Sequence, residues 1–182
     1  ERKMLQDIEE VLIPREVIAQ KTRELGKKIS ADYKGCELIL VGVLKGGFVF
    51  LADLVREITI PVDMDFMEVS SYGNSTKSSG VVRIIKDLDV NIANKHVLIV
   101  EDIVDSGLTL KHLKELLNTR GPLSVKICTI FDKPSRRKTQ VDIDYKGIEI
   151  PDKFIVGYGL DYKGKYRNLP DVCVLKKEIY DE

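Results

Sequence analysis

The stretch His96-Val-Leu-Ile-Val-Glu-Asp-Ile-Val-Asp-Ser-Gly-Leu-Thr109 decides how this chain folds. Val97 to Val100 is an unbroken apolar run with three β-branched residues, the composition of a short strand buried on both faces. Three carboxylates follow, Glu101, Asp102 and Asp105, and then the turn Ser106-Gly107-Leu108-Thr109. Beyond it Leu110, Leu113 and Leu117 recur at helical spacing. A buried strand thus runs into an acidic end, a turn of hydroxyls and glycine, and a helix N-terminus. Backbone N–H groups at such a terminus, approached closely through Gly107, suit a phosphate. The carboxylates beside them need cations or hydroxyls instead, so the pair of features describes a site for a phosphorylated sugar. Three plainer readings compete. Ser106 or Asp105 can serve only as an N-cap. A receiver domain begins with a similar strand, yet about half of this chain precedes it. Neither the P-loop pattern nor Gly-x-Gly-x-x-Gly occurs in the stretch.

Upstream, Ile13-Pro14-Arg15-Glu16 opens a helix whose inner stripe is expected to be Val17/Ile18, Leu25 and Ile29, with Gly35 ending the pattern. Glu37 to Leu44 reads as a second buried strand, followed by Lys45-Gly46-Gly47 and a helix from Phe48 through Leu51, Leu54 and Val55. Pro61 starts an extended segment in which Val62, Met64 and Phe66 alternate with Asp63, Asp65 and Met67. Residues 70–80 are small and polar with one aromatic, Tyr72, and read as a flexible lid loop; Val81 to Asp87 returns as its other arm.

Downstream, Gly121-Pro122 ends the helix and Ser124 to Phe131 is another strand, finishing in the basic cluster Asp132-Lys133-Pro134-Ser-Arg-Arg-Lys138. Phe154-Ile-Val156 is short and apolar, Gly157 to Gly164 is a loop, and Val172-Cys-Val-Leu175 is expected to close the sheet. The expectation is one α/β domain over residues 1–182, with a central, mostly parallel sheet flanked by helices. Functional candidates recur just after strands, where open parallel sheets bind ligands.

A chain of 182 residues is large enough for a proper core, and 29 acidic against 29 basic residues leave no net field to draw nucleic acid or a membrane. Cys36, Cys128 and Cys173 are widely spaced and odd in number, which suggests inert buried thiols rather than disulfides or zinc ligands. With only His96 and His112, any metal here is a hard ion on oxygen ligands, such as Mg²⁺. No run of 18 apolar residues occurs and the first residues are charged, so the expectation is a cytoplasmic protein without membrane or nucleic-acid partners.

The apolar strand with Glu-Asp-x-x-Asp-Ser-Gly-x-Thr resembles the phosphoribosyl diphosphate (PRPP) signature of the type I phosphoribosyltransferases. Four further segments resemble the hypoxanthine-guanine branch of that family: Leu44-Lys-Gly-Gly47, Ser71-Tyr72, Asp132-Lys-Pro-Ser-Arg-Arg137, and Val156-Gly-Tyr-Gly-Leu-Asp-Tyr162 continuing to Tyr166-Arg167. Order and spacing agree over nearly the whole chain. Ser106 stands where the family often has threonine, which keeps the hydroxyl.

The resemblance implies the type I fold with a small hood and a flap, and Mg²⁺-dependent transfer of a 5-phosphoribosyl group from PRPP to hypoxanthine or guanine. In that reading Asp105 to Thr109 (Asp105, Ser106, Gly107, Leu108, Thr109) hold the 5′-phosphate, while Glu101 and Asp102 take the ribose hydroxyls. Lys45, Gly46 and Arg167 face the pyrophosphate, and Glu101, Asp102 and Asp161 are metal candidates. Phe154 stacks on the purine, Lys133 donates to its 6-oxygen, and the backbones of Ile155 and Asp161 read the 2-position. Asp105 is the proton acceptor near N7, and Ser71 with Tyr72 close over the reaction. A homodimer or homotetramer is expected. Rival readings are a xanthine- or pyrimidine-preferring enzyme, or a PRPP-sensing regulator that binds nucleic acid through the Lys133–Lys138 cluster.

Overall fold

The computed structural model describes residues 3–71 and 82–181. In chain order the elements are α1 (Lys3–Gln6), β1 (Ile8–Ile13), α2 (Arg15–Asp32), β2 (Leu38–Leu44), α3 (Phe48–Glu57), β3 (Asp63–Ser71), β4 (Val82–Lys86) and β5 (His96–Val104). They continue with α4 (Leu108–Asn118), β6 (Ser124–Asp132), a 3₁₀ turn (Pro134–Arg136), β7 (Tyr145–Glu149), β8 (Ile155–Val156), β9 (Val172–Leu175) and α5 (Lys177–Tyr180).

Six strands form the central sheet in the order β4-β3-β2-β5-β6-β7. Every pairing is parallel except β3 with β4. Alternation along β2 and β5 feeds two cores, as a two-sided sheet requires. Leu38, Leu40, Leu98 and Val100 face Ile18, Leu25, Ile29, Phe50 and Leu54 of α2 and α3. Ile39, Val41, Val97 and Ile99 face Leu110, Leu113 and Leu117 of α4. No helix among the described residues is long and apolar enough to cross a membrane.

Three expectations need correction. Val172–Leu175 does not close the central sheet: β9 pairs antiparallel with β1 and β8 in a separate three-stranded sheet, the hood. Val17 is not part of the inner stripe but 48 % exposed. Thr22 takes its place between Ile18 and Leu25, buried and satisfied by donating its hydroxyl to the Ile18 carbonyl at 2.8 Å. The alternation along β3 is also out of phase with the apolar residues, since Met64 is exposed whereas Asp65 and Met67 are buried.

Asp65, 5 % exposed, is buried because it is fully used. Its oxygens accept from the backbone N–H groups of Phe66 (2.7 Å), Asp89 (2.8 Å) and Val90 (3.0 Å), which ties the β4–β5 connection to β3. Burial pushes its carboxyl up, but the three N–H donors and Lys86 outweigh that and hold it below the usual carboxylate range. Asp65→Asn is therefore expected to cost about 1–2 kcal/mol of stability at neutral pH. A depressed folded-state pKa stabilises above the unfolded value and is lost as pH falls through the folded one. Denaturant titrations should show the gap between the two proteins narrowing in acid, and an undiminished gap would assign the effect to packing.

β3 and β4 form the two arms of a hairpin with Ser71 opposite Val82. Tyr72 and the remainder of the expected lid, residues 72–81, lie outside the described residues.

Candidate active site

The chain leaves β2 toward β3 on one side of the sheet and later steps from β5 to β6 and β7 on the other. Loops diverging from adjacent strands leave a crevice at their carboxyl ends. β2 delivers Lys45 and Gly46 there and β5 delivers Glu101 to Thr109.

The β5 end runs directly into α4. Gly107 is the residue before the helix, with φ +79, and no side chain caps the first turn. Ser106 Oγ accepts only a long 3.4 Å bond from Leu108 N–H. The N-cap reading of this turn thus fails, and its donors keep the arrangement that suits an anion. A Cβ at Gly107 would stand 2.8 Å from Val141 Cγ2, so no other residue fits the close packing and the left-handed backbone together.

Glu101 and Asp102 sit side by side above the turn. Burial is the main force that pushes Glu101 well above the usual carboxylate range, and the neighbouring Asp102 charge adds to it. Burial also pushes Asp102 up to about 6, against the opposing pull of the Ile103 N–H at 2.6 Å and of Arg167. The pair is short of positive charge, which is what a partner bearing hydroxyls or a cation relieves.

The Leu44–Lys45 peptide is cis. Gly46 lies so close to Asp102 that a Cβ would overlap the carboxylate oxygen, and its carbonyl abuts Gly159 in the same way. Lys45 itself is exposed. Arg167 crosses the crevice, donating to the Gly159 carbonyl at 2.7 Å and pairing with Asp161 at 3.3 Å. The other Asp161 oxygen accepts from Gly164 N–H at 2.8 Å. Among the described residues no three His, Cys, Asp or Glu converge on one point, so Asp102 and Asp161, which line one cleft, form no closed metal cage with Glu101.

That cleft has a volume of about 360 Å³. Gly46, Asp102, Ile103, Lys133, Phe154, Ile155, Leu160, Asp161 and Arg167 line it. Lys133 is only 7 % exposed, and its ammonium donates to the Lys153 carbonyl at 3.0 Å. Burial pushes its pKa down while the Asp105 charge opposes that. The Phe154 ring is 36 % exposed; Tyr180 stacks on it at 4.4 Å and Tyr162 meets it edge-on at 5.5 Å. Asp105 is exposed at the rim of an adjoining hollow that shares Lys133 and Phe154.

Of the residues singled out in the sequence, Gly46, Asp102, Lys133, Phe154, Ile155, Asp161 and Arg167 therefore meet at one cleft, and Asp105 lines the hollow beside it, whereas Lys45, Glu101 and Ser106 to Thr109 line neither. Ser71 ends β3, and its partner Tyr72 is not described. Two contributors went unnoticed. Ile103 lines the same cleft as Phe154, and its only signal was its place inside the acidic signature. Arg137 was one cation in a basic cluster, and its role depends on what the cluster folds against. That cluster is not an open basic patch: Lys133 is buried, Arg136 pairs with Asp152 at 2.8 Å, and Arg137 turns inward to Asp132.

Comparison with known proteins places this geometry. The model of the phosphoribosyl transferase domain matches residues 12–163. The hypoxanthine-guanine phosphoribosyltransferase of Bacillus subtilis is 52 % identical over 178 residues, 98 % of this chain and 99 % of that protein. The enzyme of the same name from Streptococcus agalactiae is 52 % identical over 176 residues, 97 % and 98 % of the two chains. A hypoxanthine phosphoribosyltransferase from Staphylococcus aureus superposes with a TM-score of 0.96 at 48 % identity, over the whole of both chains. The fold is thus that of known phosphoribosyltransferases, and the chain belongs to the phosphoribosyl transferase domain family.

Proposed function

We propose that this chain is a purine-salvage enzyme that transfers the 5-phosphoribosyl group from PRPP to hypoxanthine or guanine, giving IMP or GMP and pyrophosphate. One observation carries the reading. Gly46, Asp102, Asp161 and Arg167 share one cleft with a buried lysine, Lys133, and the exposed Phe154 ring, and the adjoining hollow is lined by Asp105, the residue that leads into the uncapped glycine turn before α4. PRPP and a 6-oxopurine together require that set.

In this reading the 5′-phosphate sits on the N–H groups of Ser106 to Thr109. Glu101 and Asp102 accept from the ribose hydroxyls, which explains how two adjacent half-buried carboxylates are tolerated. The purine enters between Phe154 and Ile103, with Lys133 donating to O6 and the backbones of Ile155 and Asp161 reading the 2-position. Purine N9 attacks ribose C1 as the bond to pyrophosphate breaks, and the N7 proton passes to the Asp105 carboxylate. Lys45, Gly46 and Arg167 hold the departing pyrophosphate.

The donor set fits Mg²⁺. Asp102 and Asp161 line the cleft and Glu101 stands next to Asp102 in the chain, so these carboxylates would hold a hard ion by their oxygens. Bound Mg²⁺ supplies charge neutralisation to the leaving pyrophosphate. A homo-oligomer is part of the proposal: Phe48, directly after the Lys-Gly loop, is 46 % exposed and lines a hollow of about 690 Å³ that the monomer leaves open. The proposed compartment is the cytoplasm, in keeping with three free thiols.

A spectrophotometric assay with PRPP and Mg²⁺ tests the function. Hypoxanthine and guanine should turn over, adenine should be at least about 100-fold poorer in kcat/KM, and chelation should abolish the reaction. No turnover with any of hypoxanthine, guanine, xanthine or adenine would sink the enzyme reading.

A further inference from the structure

Three consecutive carbonyls at the end of β5 are held by the segment that carries Lys133. Val104 O accepts from Lys133 N–H at 3.0 Å, and Ser106 O accepts from Lys138 N–H at 2.9 Å. Between them Asp105 O accepts from the Arg137 guanidinium at 2.8 Å. The other arm of the same guanidinium donates to Asp132 Oδ1 at 2.5 Å, where the Asp132 side chain is 4 % exposed and that of Arg137 is 21 % exposed. The Arg137 stem lies beneath the turn, since a Cβ on Gly107 would come within 3.2 Å of its Cδ. Two of the three ties are backbone and independent of side-chain identity. The third is a planar fork spanning two acceptors on different elements, which an ammonium cannot reproduce.

We propose that Arg137 is a positioning residue for the donor site: by joining the Asp105 carbonyl to the buried Asp132 carboxylate, it sets the turn that receives the 5′-phosphate. This rests on reading Asp105 to Thr109 as the phosphate turn. Arg137 itself touches neither substrate. Its effect passes through the orientation of the Asp105–Ser106 peptide, and through it to the N–H groups that follow. Displacements of about 1 Å at such a site cost up to about 100-fold, so the expected signature is in PRPP recognition. The purine wall is anchored separately, because Lys133 is held by the Lys153 carbonyl and Phe154 by Tyr180 and Tyr162.

The test compares Arg137→Ala, Arg137→Lys and the double variant Arg137→Ala/Asp132→Asn, the last removing the buried charge that the single alanine leaves with only Lys146, at 3.9 Å. Calorimetric titration with PRPP alone and steady-state kinetics with hypoxanthine are both measured. In variants that melt like wild type, PRPP affinity should fall by about tenfold or more while the KM for hypoxanthine stays within about threefold. Lysine should recover only part of the loss, and added ethylguanidinium should recover part of it in Arg137→Ala. PRPP affinity within twofold of wild type in any cooperatively folding variant would overturn the proposal, as would equal losses for PRPP and hypoxanthine. An inactive wild type that still binds PRPP would instead overturn the functional reading and leave this one standing, because calorimetry needs no acceptor.

Discussion

Asp105→Asn is expected to lower kcat by about 100- to 1,000-fold while moving the affinity for PRPP by less than about threefold. The argument is geometric. What Asp105 gives to the phosphate turn is its backbone, held through the carbonyl by Arg137. Asparagine leaves that carbonyl, the turn and the helix start intact. What it removes is a carboxylate that lies at the rim of the purine side and is felt by Lys133 as a nearby negative charge. A proton leaving the purine has no acceptor of matching basicity in an amide, so the loss falls on the chemical step. Equal falls in PRPP affinity and kcat would show that the side chain serves the turn and not the proton.

Lys133→Ala is expected to cost about 100-fold in kcat/KM for hypoxanthine and to collapse most of the preference over adenine. Lys133 is nearly buried and spends one donor on the Lys153 carbonyl, which fixes its direction and leaves two donors for a ligand oxygen. A 6-amino group in the same place meets donor with donor. Burial pushes the lysine pKa down, and the charge of Asp105 opposes this and favours the ammonium form. Competition assays with the two purines read the ratio directly. An unchanged ratio would move the specificity to the backbone of Ile155 and Asp161.

The central sheet was legible because its strands are unmistakable in composition: Val97–Val100 and Leu38–Leu44 are buried on both faces and carry no polar interruption. The hood was legible only as a family expectation. Val172–Leu175 has the same apolar composition as a central strand, and composition does not say which neighbour a strand chooses. Its partner β1 reads Ile-Glu-Glu-Val-Leu-Ile, and two register shifts along the pairing spoil the alternation that would have announced it. The edge strand β7 carries lysine, glycine and glutamate in five residues and was missed for the same reason. At the site, position in the signature found the carboxylates and the turn. Nothing local distinguishes Arg137 from Arg136, because one is paired inward with a buried aspartate and the other outward with Asp152.

The second sheet also divides the labour of the molecule. Gly46, Asp102 and Lys133 follow or end β2, β5 and β6 of the central sheet, whereas Phe154 and Ile155 belong to the start of a small second sheet and Asp161 and Arg167 to the connection between its strands β8 and β9. Change in that second sheet therefore reaches one side of the cleft through these four residues and leaves the ends of β2, β5 and β6 where they are. Variation confined to it would retune half of the cleft while the other half stays fixed by the parallel sheet.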